Sequence, residues 1–215
     1  MDIAHIVALN WLFKLYKNSE RCRSIRLHNY AIIIIKHHVC NKHPSTILIS
    51  GPTGSGKTRF LVSALQERLI QPPPQRIIWV YGEWQPLYEE LRKWCRGVEF
   101  VNHFDESLYD SLDVTVRNVV VLDDQINNSS VRNNLGLSQL FTQGSHHHNV
   151  TVIYIMQNLF DQSKIMRTIS LNSQYMILFK HSRNKAQIAV LSRQMYPEDV
   201  NFLVDAFESE LHWVS

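Results

Sequence analysis

Between the apolar run Thr46–Ser50 (TILIS) and a stretch with leucines at helical spacing lies Gly51-Pro52-Thr53-Gly54-Ser55-Gly56-Lys57-Thr58. Few octapeptides restrict a fold as strongly. Its glycines let successive backbone amides turn into one concavity and approach phosphate oxygens closely. A helix starting directly after the loop adds partial positive charge at the same point. The pattern has this meaning only with a strand before it and a helix after it, and both are legible. TILIS reads as a short buried strand, and Leu61, Ala64, Leu65 and Leu69 recur at helical spacing. Lys57 is expected to bridge the β- and γ-phosphates of a nucleotide, and the Thr58 hydroxyl to ligate magnesium. ATP and Mg2+ are therefore the expected cofactors, with residues 51 to 58 as the cradle.

From Ser45 onward, short apolar strands alternate with helical patterns, which predicts an α/β fold with a mostly parallel sheet covered by helices on both faces. Strands are expected at residues 46 to 50, 77 to 81 (IIWVY), 118 to 122 (NVVVL), 150 to 156 (VTVIYIM) and 174 to 180 (QYMILFK), with residues 98 to 101 a candidate for a short extra one. The run Pro72, Pro73, Pro74 is expected to terminate the helix after the loop, because proline lacks an amide hydrogen and clashes with the preceding turn. A second helix is expected to begin near Pro86, with Leu87, Leu91 and Trp94 on one face and Gly97 as its C-cap. Another passes through Leu137, Leu140 and Phe141 and stops at Gly144. Two closing helices follow, one through Ile188, Leu191 and Met195, the other with Pro197 in its first turn.

Asp123 ends an apolar strand, the position of a Walker B carboxylate that holds magnesium through water. Asp124 comes next and is the candidate to polarise an attacking water, although its arm is shorter than that of Glu. Gln157 is a polar residue at the end of an otherwise apolar strand, suited to the γ-phosphate or the water. These features predict a three-layer P-loop NTPase of the additional-strand type. The triplet His146-His147-His148 has no Cys or carboxylate partner at metal-ligand spacing, so a loop, subunit or DNA contact is expected there rather than a metal. Lys180, His181, Arg183 and Lys185 form a basic cluster, read first as a solvated face. Arg167 and Arg183 are candidates for an arginine finger.

At 215 residues the chain can bury one sizeable core, and 45% hydrophobic with 19% charged residues excludes the disordered and collagen-like classes. A net charge of +3 is too small to argue for nucleic acid by itself. Cys22, Cys40 and Cys95 are widely separated, which fits free thiols in a reducing compartment better than a zinc or disulfide framework. No apolar run reaches the roughly 20 residues needed to span a bilayer, so no membrane association is expected. Residues 3 to 15 are apolar, but Asp2 and His5 stand where a signal segment needs cations, and a packed helix is expected. The chain thus divides into a helical and basic N-terminal appendage, residues 1 to 43, and a P-loop core, residues 44 to 215.

From about residue 44 to residue 197, the sequence resembles the FtsK–HerA superfamily of DNA-pumping ATPases. It is most similar there to the genome-packaging ATPases of adintovirus and Polinton-type elements, distant relatives of the poxvirus packaging ATPase. The resemblance is carried by HPSTILISGPTGSGKT, IIWVYGEWQPLYEEL, VVVLDDQ, LFTQGSHHHNVTVIYIMQNLF, RTISLNSQYMILFK and LSRQMYP. It implies an ATPase that drives double-stranded DNA into a preformed viral capsid, inside the host nucleus or cytoplasm and carried in the virion. It also implies a ring of identical subunits, a pentamer or hexamer, with a neighbour's arginine completing each site and capsid proteins as partners. Lys57, Thr58, Asp123, Asp124 and Gln157 take the roles given above, and Asp124 departs from the superfamily's usual Glu. Two rivals remain open at this point. One is a small nucleoside or nucleotide kinase, against which no Arg-rich lid segment is evident. The other is a non-hydrolysing, nucleotide-gated capsid assembly module.

Overall fold

The structure, a computed structural model, describes residues 22–27, 30–36, 43–95, 97–123, 135–145, 148–159, 164–179 and 185–209. Eight strands form one sheet: β1 (Cys22–Leu27), β2 (Tyr30–Lys36), β3 (Thr46–Ser50), β4 (Arg76–Tyr81), β5 (Val98–Val101), β6 (Asn118–Asp123), β7 (Val150–Met156) and β8 (Tyr175–Phe179). Their order across the sheet is β1-β2-β8-β3-β7-β6-β4-β5. From β8 to β5 every pairing is parallel, while β1 and β2 pair with each other, and β2 with β8, antiparallel. The described helices are α1 (Lys57–Gln66), α2 (Pro86–Trp94), α3 (Glu106–Asp110), α4 (Leu135–Gln139), α5 (Lys164–Asn172), α6 (Lys185–Met195) and α7 (Phe202–Ser209). A π-helical turn, Leu140–Gly144, prolongs α4.

The central strands are apolar throughout because both faces of the sheet are covered, as parallel sheets require. Successive residues of β6 show this division. Val119 and Val121 enter one core with Phe60, Leu61 and Leu65 of α1 and Tyr88 and Leu91 of α2. Val120 and Leu122 enter the other, with Leu108 of α3, Leu137 of α4, Ile169 of α5, Leu191 of α6 and Leu203 of α7. Each such buried aliphatic side chain contributes about 1.5–3 kcal/mol. The result is three layers, helix on sheet on helix. At the outer edge β5 is tied to β4 by Arg76, which donates to both Glu99 oxygens at 2.8 and 3.0 Å. The guanidinium holds the Glu99 carboxyl below its ordinary range. Cys95 is a free thiol whose half-burial pushes its pKa up.

Four expectations need correction. The segment read as a helical and basic appendage contains the β-hairpin β1–β2, whose second strand pairs with β8. The helix expected at residues 3 to 15 lies outside the described residues. Helix α1 is stopped by its own C-terminal turn rather than by the prolines. Arg68 adopts φ 52°, its amide bonds Leu65 O and the Leu69 amide bonds Ala64 O, which is a Schellman closure with arginine in the left-handed position. On α2 Leu91 is buried and Leu87 packs against the core as expected, but Trp94 is exposed and Tyr88 is buried in its stead, so the inward face is turned slightly from the one expected. Finally, Pro197 lies in the turn between α6 and α7 rather than within the first turn of a helix.

Candidate functional site

The loop after β3, the end of β6 and the end of β7 lie side by side at the carboxyl ends of these central strands. In the order β3-β7-β6, β7 separates the loop-bearing strand from the strand that ends in Asp123. This is the additional strand of the expected fold type. Gln157 follows β7 directly and is exposed, between the loop and Asp123 in strand order.

The loop is shaped by backbone bonds and by glycine. The Gly51 amide donates to Met156 O at 3.2 Å, stitching the loop's start to β7. The Ser55 amide donates to Pro52 O at 3.2 Å, and the Phe60 amide opens α1 by bonding Gly56 O at 2.8 Å. Gly54 and Gly56 have φ of 76° and 85°, a left-handed conformation that costs other residues about 1–2 kcal/mol. No acidic residue occupies the first turn of α1, so the positive end of its dipole is not offset. Lys57 is buried, and its Nζ donates to Pro52 O at 2.8 Å, which folds the ammonium back over the loop.

The second half of the site is a carboxylate. Asp123 is 2% exposed at the end of β6, and Thr58 Oγ1 donates to its Oδ1 at 3.3 Å. Its Oδ2 accepts from the Tyr88 hydroxyl at 2.9 Å. The donor set fits a nucleotide with magnesium. Ser55 Oγ, on the loop, is buried without a hydrogen-bond partner among the described residues. The loop amides, an ammonium and an uncapped helix start converge where an anion would sit. A hydroxyl and a carboxylate stand side by side as hard oxygen ligands suited to Mg2+ or to its water shell.

The structure thus brings together residues 51 to 58, Asp123 and Gln157. Asp124, Arg183, His146 and His147 lie outside the described residues. Arg167 is exposed one turn into α5, and among the described residues no hydrogen bond or ion pair joins it to the loop. His148 is described and half-buried, and no cluster of His, Cys, Asp and Glu able to hold a metal ion occurs among the described residues. No helix among the described residues is long and apolar enough to cross a membrane. Sequence reasoning missed Tyr88. Its signal was a tyrosine in the first turn of an otherwise apolar helix face, following a strand parallel to the one ending in Asp123.

No protein-family model matches the sequence. Over 64 residues, 30% of the chain, it is 31% identical to packaging protein 1 of snake adenovirus serotype 1, and the match spans only 12% of that protein. Among solved structures, it is similar to B204, the DNA-packaging ATPase of Sulfolobus turreted icosahedral virus. The TM-score is 0.51 at 13% identity, covering 74% of this chain and 88% of that one. B204 of Sulfolobus turreted icosahedral virus 2, a genome-packaging NTPase solved with ATP-γS, gives 0.50 at 14% identity over 76% and 88% of the two chains. At such identities the likeness is one of fold, and with the strand order above it establishes that this chain has the three-layer α/β P-loop NTPase fold.

Proposed function

We propose that this chain is a Mg2+-dependent ATPase of the FtsK–HerA superfamily that moves double-stranded DNA into a viral capsid. The observation that carries the reading is the Thr58–Asp123 pair: a P-loop hydroxyl bonded to the carboxylate of a strand two places away, with β7 between them. That arrangement serves phosphoryl transfer to water, in which nearly all catalysis is positioning and charge neutralisation. The loop amides and Lys57 hold the β- and γ-phosphates. Thr58 and Asp123 hold magnesium, which supplies charge neutralisation on the phosphate oxygens when bound. Asp124 polarises the attacking water, and Gln157 orients it or the γ-phosphate.

The packaging role is supported by the likeness to B204, by the short match to the adenovirus packaging protein and by the strings quoted above. The partners are double-stranded DNA, capsid proteins and further copies of the chain in a head-to-tail ring, a pentamer or hexamer, with Arg167 or Arg183 reaching the neighbouring site. The protein works in the host nucleus or cytoplasm and accompanies the virion. The test is the steady-state ATPase rate with and without long double-stranded DNA, for the native chain and for Lys57→Ala. Hydrolysis stimulated by DNA and abolished in the variant is the expected result. Turnover in Lys57→Ala at the native rate would remove the site assignment, and turnover indifferent to DNA would remove the translocating role.

A further inference from the structure

Tyr88 belongs to none of the motifs that define a P-loop site, yet its hydroxyl donates to the carboxylate oxygen of Asp123 that does not face Thr58. The reach is built by the fold. Helix α2 starts at Pro86 after Gln85, and the Tyr88 amide closes its first turn on Gln85 O at 3.0 Å. From there the side chain spans β4 to meet β6, in whose register Tyr81 stands opposite Asp123. The ring is fully buried, and four aromatic rings surround it: Trp79 at 5.6 Å, Tyr81 at 5.8 Å, Trp84 at 5.4 Å and Phe100 at 5.5 Å between centroids. A ring packed on all these sides has little freedom to swing, so the hydroxyl is delivered to one point.

A buried tyrosine hydroxyl needs an acceptor, and a backbone carbonyl would serve stability equally well. Here the acceptor is Asp123, the carboxylate bonded to the P-loop hydroxyl of Thr58. With Oδ2 held by Tyr88 and Oδ1 directed at Thr58, the plane of the carboxylate is determined. A phenol is also a neutral donor, so it orients Asp123 without cancelling the negative charge that draws a cation, as a lysine would.

We propose that Tyr88 is a positioning residue for the magnesium site, fixing the rotamer of Asp123 so that a divalent cation is held against the nucleotide. The inference rests on the nucleotide and magnesium reading of the site given above. The test compares the full chain with Tyr88→Phe, which keeps the ring and removes only the hydroxyl. Binding of a fluorescent ATP analogue is titrated by anisotropy at increasing Mg2+, with a second series in EDTA and no divalent cation. The expected result is unchanged binding in EDTA and an about tenfold rise in the Mg2+ concentration giving half of the metal-dependent gain, the usual cost of losing an orienting partner of a metal-site carboxylate. A Tyr88→Phe curve superimposable on that of the native chain overturns the proposal. So does loss of cooperative unfolding in the variant, which assigns the hydroxyl to stability alone. A native chain whose binding ignores Mg2+ instead overturns the reading of the site itself, a different failure with a different signature.

Discussion

At Gly51 the loop passes so close to β8 that an added Cβ would fall on the Cβ of Phe179 and lie 3.1 Å from Ser55 Oγ. Neither the Phe179 Cβ nor its Cα, 3.4 Å away, belongs to a flexible side-chain end, so the strand or the loop would have to move. Gly54 has no atom within 4 Å of such a Cβ, and its constraint is the left-handed φ alone. Gly51→Ala is therefore expected to destabilise the fold by about 1–3 kcal/mol through overpacking and to weaken nucleotide binding. Gly54→Ala should cost only the left-handed strain, about 1–2 kcal/mol. Urea denaturation with a nucleotide titration on the same samples checks both, and a Gly51→Ala protein with native midpoint and affinity would contradict the close approach. The motif shows in the sequence that glycines stand here. Which glycine answers to a neighbour and which to its own dihedral is visible only once β8 is placed beside the loop.

On the scale of elements, β6 is buried from Asn118 to Asp123. Leu122 is fully buried in the core beneath α4 and α5, one residue from the magnesium-side carboxylate. Leu122→Ala is expected to cost about 2–5 kcal/mol, measured by denaturant unfolding, with nucleotide affinity falling less than stability because Asp123 keeps its Thr58 and Tyr88 partners. Strands such as this were legible because, from Ser45 onward, short apolar runs rich in β-branched residues alternate with helical patterns. The short helix α3 and helix α5 were not read from the sequence. Neither was the hairpin β1–β2, because YAIIIIK shows no alternation, and an unbroken apolar run does not distinguish a strand from a buried helix. The inward face of α2 was missed for a related reason. Tyr88 competes with Trp94 for a place beside Leu91, and only the aromatic floor of Trp79, Tyr81 and Phe100 selects Tyr88.

For the molecule as a whole, the proposed ring makes a prediction of its own. If each nucleotide site is completed by a neighbour's arginine, adding subunits in which Lys57, Arg167 and Arg183 are all replaced by alanine should reduce DNA-stimulated ATPase activity more steeply than the fraction of native subunits, because each such subunit is inactive and also deprives its native neighbour of the arginine. A strictly proportional fall would mean that each subunit works alone. The phosphate loop, the strand before it, the helix after it and the carboxylate ending another apolar strand were determined by sequence, because each rests on local chemistry: glycine's freedom, amide donors and apolar period. The additional-strand class also followed from the order of motifs along the chain. What only the tertiary structure decided is what reaches across strands. It closed β8 over Gly51, joined the N-terminal hairpin to the sheet and brought Tyr88 onto Asp123, whose place beside Thr58 the motifs had already implied. These pairs lie far apart in sequence, and their meeting depends on the order β8-β3-β7-β6-β4, which the packing of the whole sheet decides and no local signal encodes.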